Sequence, residues 1–112
     1  MTDSIDPPVN RLRHIVGFRY KPEATTDKID QLTNAFRALK DKIPGIMSFE
    51  YGENNSPEGI DVGLSNIHTL TFVDANARDV YLTHPAHLEF GKLLKELDIV
   101  TDAVVVDYIV KP

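Results

Sequence analysis

The chain has 112 residues, 42% of them hydrophobic, with 12 Lys and Arg against 17 Asp and Glu, four His and no Cys. That length suits one domain with a real core, and the lack of cysteine excludes disulfides and thiolate chemistry. The net charge of -5 is mild and interspersed, without the basic cluster that tracks a phosphate backbone, so no nucleic-acid partner is expected. No apolar run approaches the roughly 20 residues of a membrane-spanning helix, and Met1 to Pro8 lacks the charged and apolar regions of a signal peptide. Neither a membrane nor a secretory route is therefore expected, and the cytoplasm is the expected location.

Residues 1–10 are acidic, contain Pro7-Pro8 and show no periodicity, which predicts a loose arm ahead of a domain spanning 11–112. From Arg13 to Tyr20 the chain alternates, with His14, Val16, Phe18 and Tyr20 on one face, which predicts a strand ended by Pro22. Thr25, Thr26 and Asp27 are N-cap candidates for a helix carrying Ile29, Leu32, Phe36, Leu39 and Ile43 on one stripe. Ile43-Pro44-Gly45-Ile46 breaks that helix before a second strand through Met47, Phe49 and Tyr51. A polar loop from Glu53 to Gly63 follows, and then a third strand from Leu64 to Val73. Asp74 is placed to cap a short helix over Ala75 to Leu82, and Pro85 to open a second over His87 to Leu97. The chain closes on a strand from about Ala103 to Val110.

The order β-α-β-β-α-β is the ferredoxin-like α+β pattern, an antiparallel four-stranded sheet with helices on one face. The last strand is apolar on both faces, with Val104, Val106, Tyr108 and Val110 on one and Ala103, Val105 and Ile109 on the other. No remaining element covers the second face, so the expected cover is another copy of the chain in a symmetric homodimer.

Asp107 stands out as the lone carboxylate in that apolar strand, because burying it requires hydrogen-bond donors or a retained proton, and a histidine is a natural donor. His84 and His87 sit at a helix start, with Tyr81 one turn upstream. The three-residue spacing of the two histidines raises a metal site, but no HExxH, cysteine cluster or identifiable third ligand accompanies it. Glycine-rich phosphate loops, dinucleotide fingerprints and a Gly-x-Ser-x-Gly elbow are also missing, so neither a metal nor another cofactor is expected.

Several segments in order resemble the stress-responsive dimeric α/β-barrel domain family, Dabb. They are His14-Ile15-Val16, Ile43-Pro44-Gly45-Ile46, Ser48 to Gly52, Leu70-Thr71-Phe72, Asp79 to His87 and Val106-Asp107-Tyr108. The resemblance implies two ferredoxin-like protomers packed sheet on sheet into a barrel. Most members carry no established activity. A plant member closes a linear polyketide by a cofactor-free aldol condensation, and some plant hydroxynitrile lyases share the domain. Matching motif positions, the tyrosine and histidine acting in the cyclase correspond to Tyr81 and His87, its first-strand histidine to His14 and its last-strand aspartate to Asp107. Phe36 stands where that cyclase has a tyrosine, Asn66 where it has a histidine, and His68 where it has an apolar residue.

On this reading His87 is a general base whose tautomer Asp107 fixes, and Tyr81 donates a hydrogen bond to a carbonyl oxygen that becomes an enolate. An oriented donor of that kind supplies about 3 kcal/mol of transition-state stabilisation. His14, Val16, Phe18, Phe36, Asn66, His68 and Phe72 are the candidate substrate-binding residues. The alternative makes His84 a helix cap and pairs His87 with Asp107 for structure alone. Three functions stay open: an enzyme on a small carbonyl compound, a module binding an apolar or aromatic molecule, and a stress-associated structural dimer with a filled core.

Overall fold

The computed structural model describes residues 10–112, so the expected arm lies outside the described residues except for Asn10. Alternation builds the first strand, β1 (Leu12–Tyr20), which buries Leu12, His14, Val16 and Phe18 on one face. The Thr25 hydroxyl accepts the Lys28 amide at 3.3 Å and opens α1 (Thr26–Lys42), whose Leu32, Phe36 and Leu39 pack down onto the sheet. Pro44 holds Ile43 in extended backbone and so ends the helix. Gly45 completes the reversal at φ +92°, where a Cβ would also fall 2.7 Å from that of Ala77.

Two more strands follow, β2 (Ile46–Glu53) and β3 (Asn66–Phe72), then α2 (Ala75–Thr83), α3 (Pro85–Leu97) and β4 (Val100–Ile109). Asp74 caps α2 by accepting the Ala77 amide at 2.9 Å. The four strands pair antiparallel in the order β2-β3-β1-β4. This is the ferredoxin-like α+β fold, with the second helical connection divided into α2 and α3. Among the described residues, no helix is long and apolar enough to cross a membrane.

Three boundaries depart from the sequence expectation by more than a single residue. Strand β3 begins at Asn66 rather than Leu64, because the Leu64 amide is engaged by the Asp61 carbonyl at 3.0 Å in the preceding turn. Helix α3 begins at Pro85 rather than His87, since proline at the first helical position loses no hydrogen bond the helix would have made. Strand β4 begins at Val100 rather than Ala103, because pairing with β1 continues through Arg19↔Asp102 and, after an irregularity, Tyr20↔Val100. Backbone pairing there extends past the end of the valine run.

All three helices lie over one sheet face, and the core between the layers holds Phe18, Phe36, Phe72, Leu32, Leu70 and Tyr81. The strand order puts β4 at an edge. Its Val104, Val105, Val106 and Tyr108 are each 40–57% exposed in the single chain. Both faces of this strand lack the cover that their composition calls for.

Candidate active site

Register brings the first polar pair together. His14 of β1 lies directly opposite Asp107 of β4, so their side chains emerge on the same, helix-facing side of the sheet. His14 Nδ1 donates to Asp107 Oδ1 at 2.7 Å, and Arg78 Nη1 from α2 donates to Asp107 Oδ2 at 2.7 Å. The Arg78 Nε also contacts Asp79 Oδ1 at 2.8 Å. These two carboxylates hold the Arg78 guanidinium more firmly protonated than an ordinary arginine, with the Asp107 hydrogen bond foremost.

The expected pairing of His87 with Asp107 is therefore replaced. Asp107 is held by His14 and Arg78, while His87 Nδ1 donates to the Leu82 carbonyl at 3.1 Å. The physical reason is register: a cross-strand partner reaches the carboxylate more directly than a side chain at the start of α3. His84 closes the break between the helices, where its Nδ1 accepts the Ala86 amide at 3.0 Å. It acts as the N-cap of α3.

A cavity of about 340 Å³ lies between the sheet and the α2–α3 pair. His14, Tyr81 and His87 supply the polar side chains in its wall among the described residues. Val16, Phe18 and Phe36 line it, as do Phe90 and Leu94 of α3 and Ala103 and Val105 of β4. Asp107 stands behind His14 rather than in the wall. Asn66, His68 and Phe72 are buried outside the lining. Asn66 Nδ2 donates to the Tyr51 hydroxyl, and Phe72 packs edge-on against both His14 and Tyr81. His68 is enclosed by Phe18, Phe36 and Tyr51, with Nδ1 donating to the Val16 carbonyl at 2.9 Å and Nε2 unpartnered among the described residues.

Tyr81 packs against both histidines of the wall. The Tyr81 ring sits 5.5 Å from the His14 ring and 4.3 Å from the His87 ring, centroid to centroid. Their electrostatics differ in sign. Burial, reinforced by the Asp107 charge, pushes the Tyr81 phenol well above its ordinary value, so it stays protonated and is a donor. Burial, only partly opposed by the Leu82 carbonyl and aided by His14, lowers His87, so its imidazole is neutral near pH 7. With Nδ1–H committed to Leu82, the lone pair of His87 is on Nε2. The site thus combines a neutral base with a protonated phenol beside an apolar volume.

Sequence reasoning did not single out Arg78, nor Phe90, Leu94, Ala103 and Val105 as cavity walls. The helical stripe His87, Phe90, Gly91 and Leu94 carries the signal for α3, since positions three, four and seven residues on share one face. Arg78 precedes Tyr81 by three residues and so lies on the same side of α2.

A ferredoxin-like sheet roofed by helices over an apolar cavity, with two histidines and a tyrosine in its wall, defines a ferredoxin-like α+β domain with an internal cavity. The profile of the Stress responsive A/B Barrel Domain family, Dabb, matches residues 12–110, and the chain belongs to that family. It is 31% identical over 98 residues to the stress-response A/B barrel domain-containing protein HS1 of Arabidopsis thaliana, covering 87% of each chain. It is 23% identical over 84 residues to olivetolic acid cyclase of Cannabis sativa, covering 75% of this chain and 83% of the cyclase. The solved hydroxynitrile lyase from Passiflora edulis is similar at a TM-score of 0.83 and 27% identity, over 94% of this chain and 96% of the lyase. Other solved ferredoxin-like neighbours, from Bacteroides fragilis and Jannaschia sp., are described as dimeric.

Proposed function

We propose that this protein is a homodimer that binds a small apolar carbonyl compound between its sheet and helices and carries out cofactor-free proton transfer on it, in a cyclase- or lyase-type reaction. The observation that carries this reading is the concentration of polar wall chemistry in His14, Tyr81 and His87 around an otherwise apolar volume. The similarity to olivetolic acid cyclase and to hydroxynitrile lyase supports the reaction class.

In the proposed step His87 Nε2 takes a proton from the carbon beside a carbonyl. The Tyr81 hydroxyl donates to the carbonyl oxygen as that oxygen gains charge, which is where an oriented donor lowers the barrier most. The enolate carbon then adds to a second carbonyl, forming a carbon-carbon bond, and the resulting alkoxide takes the proton back from the His87 imidazolium. Run in reverse, the same groups cleave that bond. His14, oriented by Asp107, offers its remaining ring nitrogen to the substrate.

The homodimer rests on β4 and on the architecture. An open four-stranded sheet is not a barrel, so barrel closure requires a second sheet. Val104, Val106 and Tyr108 form an apolar strip on the face away from the helices, suited to such a partner.

The test is proton exchange in heavy water, followed by NMR on an aryl alkyl ketone such as phenylacetone. Wild-type protein is expected to bind the ketone and to exchange its α-protons faster than buffer. His87→Gln is expected to retain binding and lose at least tenfold in exchange. Binding with exchange only at the buffer rate would leave a binding module, and no binding would favour the structural dimer.

A further inference from the structure

His14, Tyr81 and His87 face the cavity directly, yet a permanently charged side chain, Arg78, is drawn into the same cluster. Arg78 is not in the cavity wall. Its side chain is 23% exposed and reaches across from α2 to Asp107, whose side chain is itself 21% exposed and already hydrogen-bonded to His14. The chain of contacts runs from Arg78 Nη1 to Asp107 Oδ2, and from Asp107 Oδ1 to His14 Nδ1, at 2.7 Å for each link.

We propose that Arg78 is a positioning residue, which holds one oxygen of Asp107 so that the other is turned onto His14 Nδ1 and the Nε2 lone pair of His14 is kept toward the cavity. A carboxylate has two equivalent oxygens, and its side chain rotates unless both are engaged. With only His14 as partner, the carboxylate is free to rotate away from the ring, and whenever the Nδ1–H···Oδ1 contact is lost the imidazole exchanges which nitrogen carries the proton. With Arg78 bound, the acid is fixed at both ends. Orientation of an imidazole by the group behind it is a general device for choosing the nitrogen presented to a ligand.

The charge pattern around His14 fits this role. Asp107 faces it from β4, Arg78 and Tyr81 approach from α2, His87 from α3, and the β3 neighbour Phe72 is uncharged. Arg78 is the fixed cation facing Asp107. Asp79 holds the other edge of the guanidinium at 2.8 Å, outside the cavity. The position is also specific in geometry, since Arg78 lies one helical turn before Tyr81 and ties α2 to the edge strand that carries Asp107.

This inference rests on the reading of the cavity as the place where His14 meets a ligand, but its test needs no ligand. Long-range proton–nitrogen NMR of the histidine rings at pH 7.5 distinguishes the two neutral tautomers and the imidazolium. In the wild type His14 is expected as the single Nδ1–H tautomer. In Arg78→Met it is expected to become a mixture of forms, and in Arg78→Lys, which restores the charge without the planar fork, to recover in part. His87, held by the Leu82 carbonyl, is expected to keep one tautomer throughout, which reports that the fold is intact. An unchanged His14 spectrum in Arg78→Met overturns the proposal. If Arg78→Met disturbs His87 as well, the Arg78→Lys and Asp79→Asn spectra decide: a wild-type His14 in Arg78→Lys, or a His14 shifted by Asp79→Asn as much as by Arg78→Met, also overturns it. Loss of ketone exchange with an unchanged tautomer would count against this role alone and not against the proton-transfer reading.

Discussion

His14 and Asp107 face each other across one rung of the β1–β4 ladder, with His14 Nδ1 2.7 Å from Asp107 Oδ1. Ninety-three residues apart in the chain, they meet because the edge strand pairs antiparallel with the central one.

That rung predicts a stability effect. Asp107→Ala leaves the His14 donor, on a side chain only 6% exposed, and one edge of the Arg78 guanidinium without their acceptor. Part of the loss is screened, because Asp107 is itself partly exposed, so a destabilisation of about 1–3 kcal/mol is expected. Urea unfolding followed by circular dichroism measures it as a lowered midpoint at unchanged slope.

The proposed proton transfer carries its own pH signature. His87 is a base only when neutral, and its burial lowers the protonation point below 6.5, so the exchange rate is expected to be flat near pH 7 and to fall as acid takes the pH down through the lowered value. Tyr81 is displaced the other way, above 10, so its donor function is expected to survive throughout the neutral and mildly alkaline range. Tyr81→Phe is expected to slow exchange about 100-fold with the acid limb unmoved. An acid limb displaced in Tyr81→Phe would show that the phenol, rather than the imidazole, titrates in that range.

A buried imidazole that takes no part in the cavity provides a separate test. His68 is fully buried, and burial lowers its protonation point below 6.5, opposed by the Val16 carbonyl. The unfolded chain takes up a proton near pH 6.5 that the folded chain refuses, so this group's contribution is intact above 6.5 and declines as the pH falls below it. The slope is at most about 1.4 kcal/mol per pH unit. His68→Leu is expected to flatten the acid side of the stability profile measured between pH 7 and 5. An identical slope in the variant would assign the acid sensitivity elsewhere.

Dimerisation is tested at the exposed strip. Val106 is 54% exposed in the single chain and lies on the face opposite the helices. Val106→Asp places a charge where the proposed partner sheet packs, so light scattering is expected to report half the wild-type mass with native circular dichroism. A wild-type mass for this variant would place the interface elsewhere.

Much of this architecture is readable from periodicity. Alternation exposes β1 and β3, the spacing of Leu32, Phe36 and Leu39 exposes α1, and Pro44-Gly45 marks the reversal between α1 and β2. Proline at the head of α3 and Asp74 before α2 are local signals for helix starts. Periodicity is local, which is why it served these elements and failed at the start of β4, where pairing with Tyr20 recruits Val100 to Asp102 from outside the valine run.

The amino-acid order alone determined the domain family, legible from Arg13 to Val110, and singled out the candidate site residues, an acid stranded among valines and a phenol shortly before a histidine. Only the tertiary structure decided their partners. Composition offers Asp107 many cationic or imidazole partners, and the strand register and the placement of α2 assign it to His14 and Arg78, leaving His87 to the Leu82 carbonyl. Hydrogen bonds act over about 3 Å, whereas sequence separation says nothing about distance across a sheet, so pair identity is a property of the folded register and not of the composition that makes the pair possible.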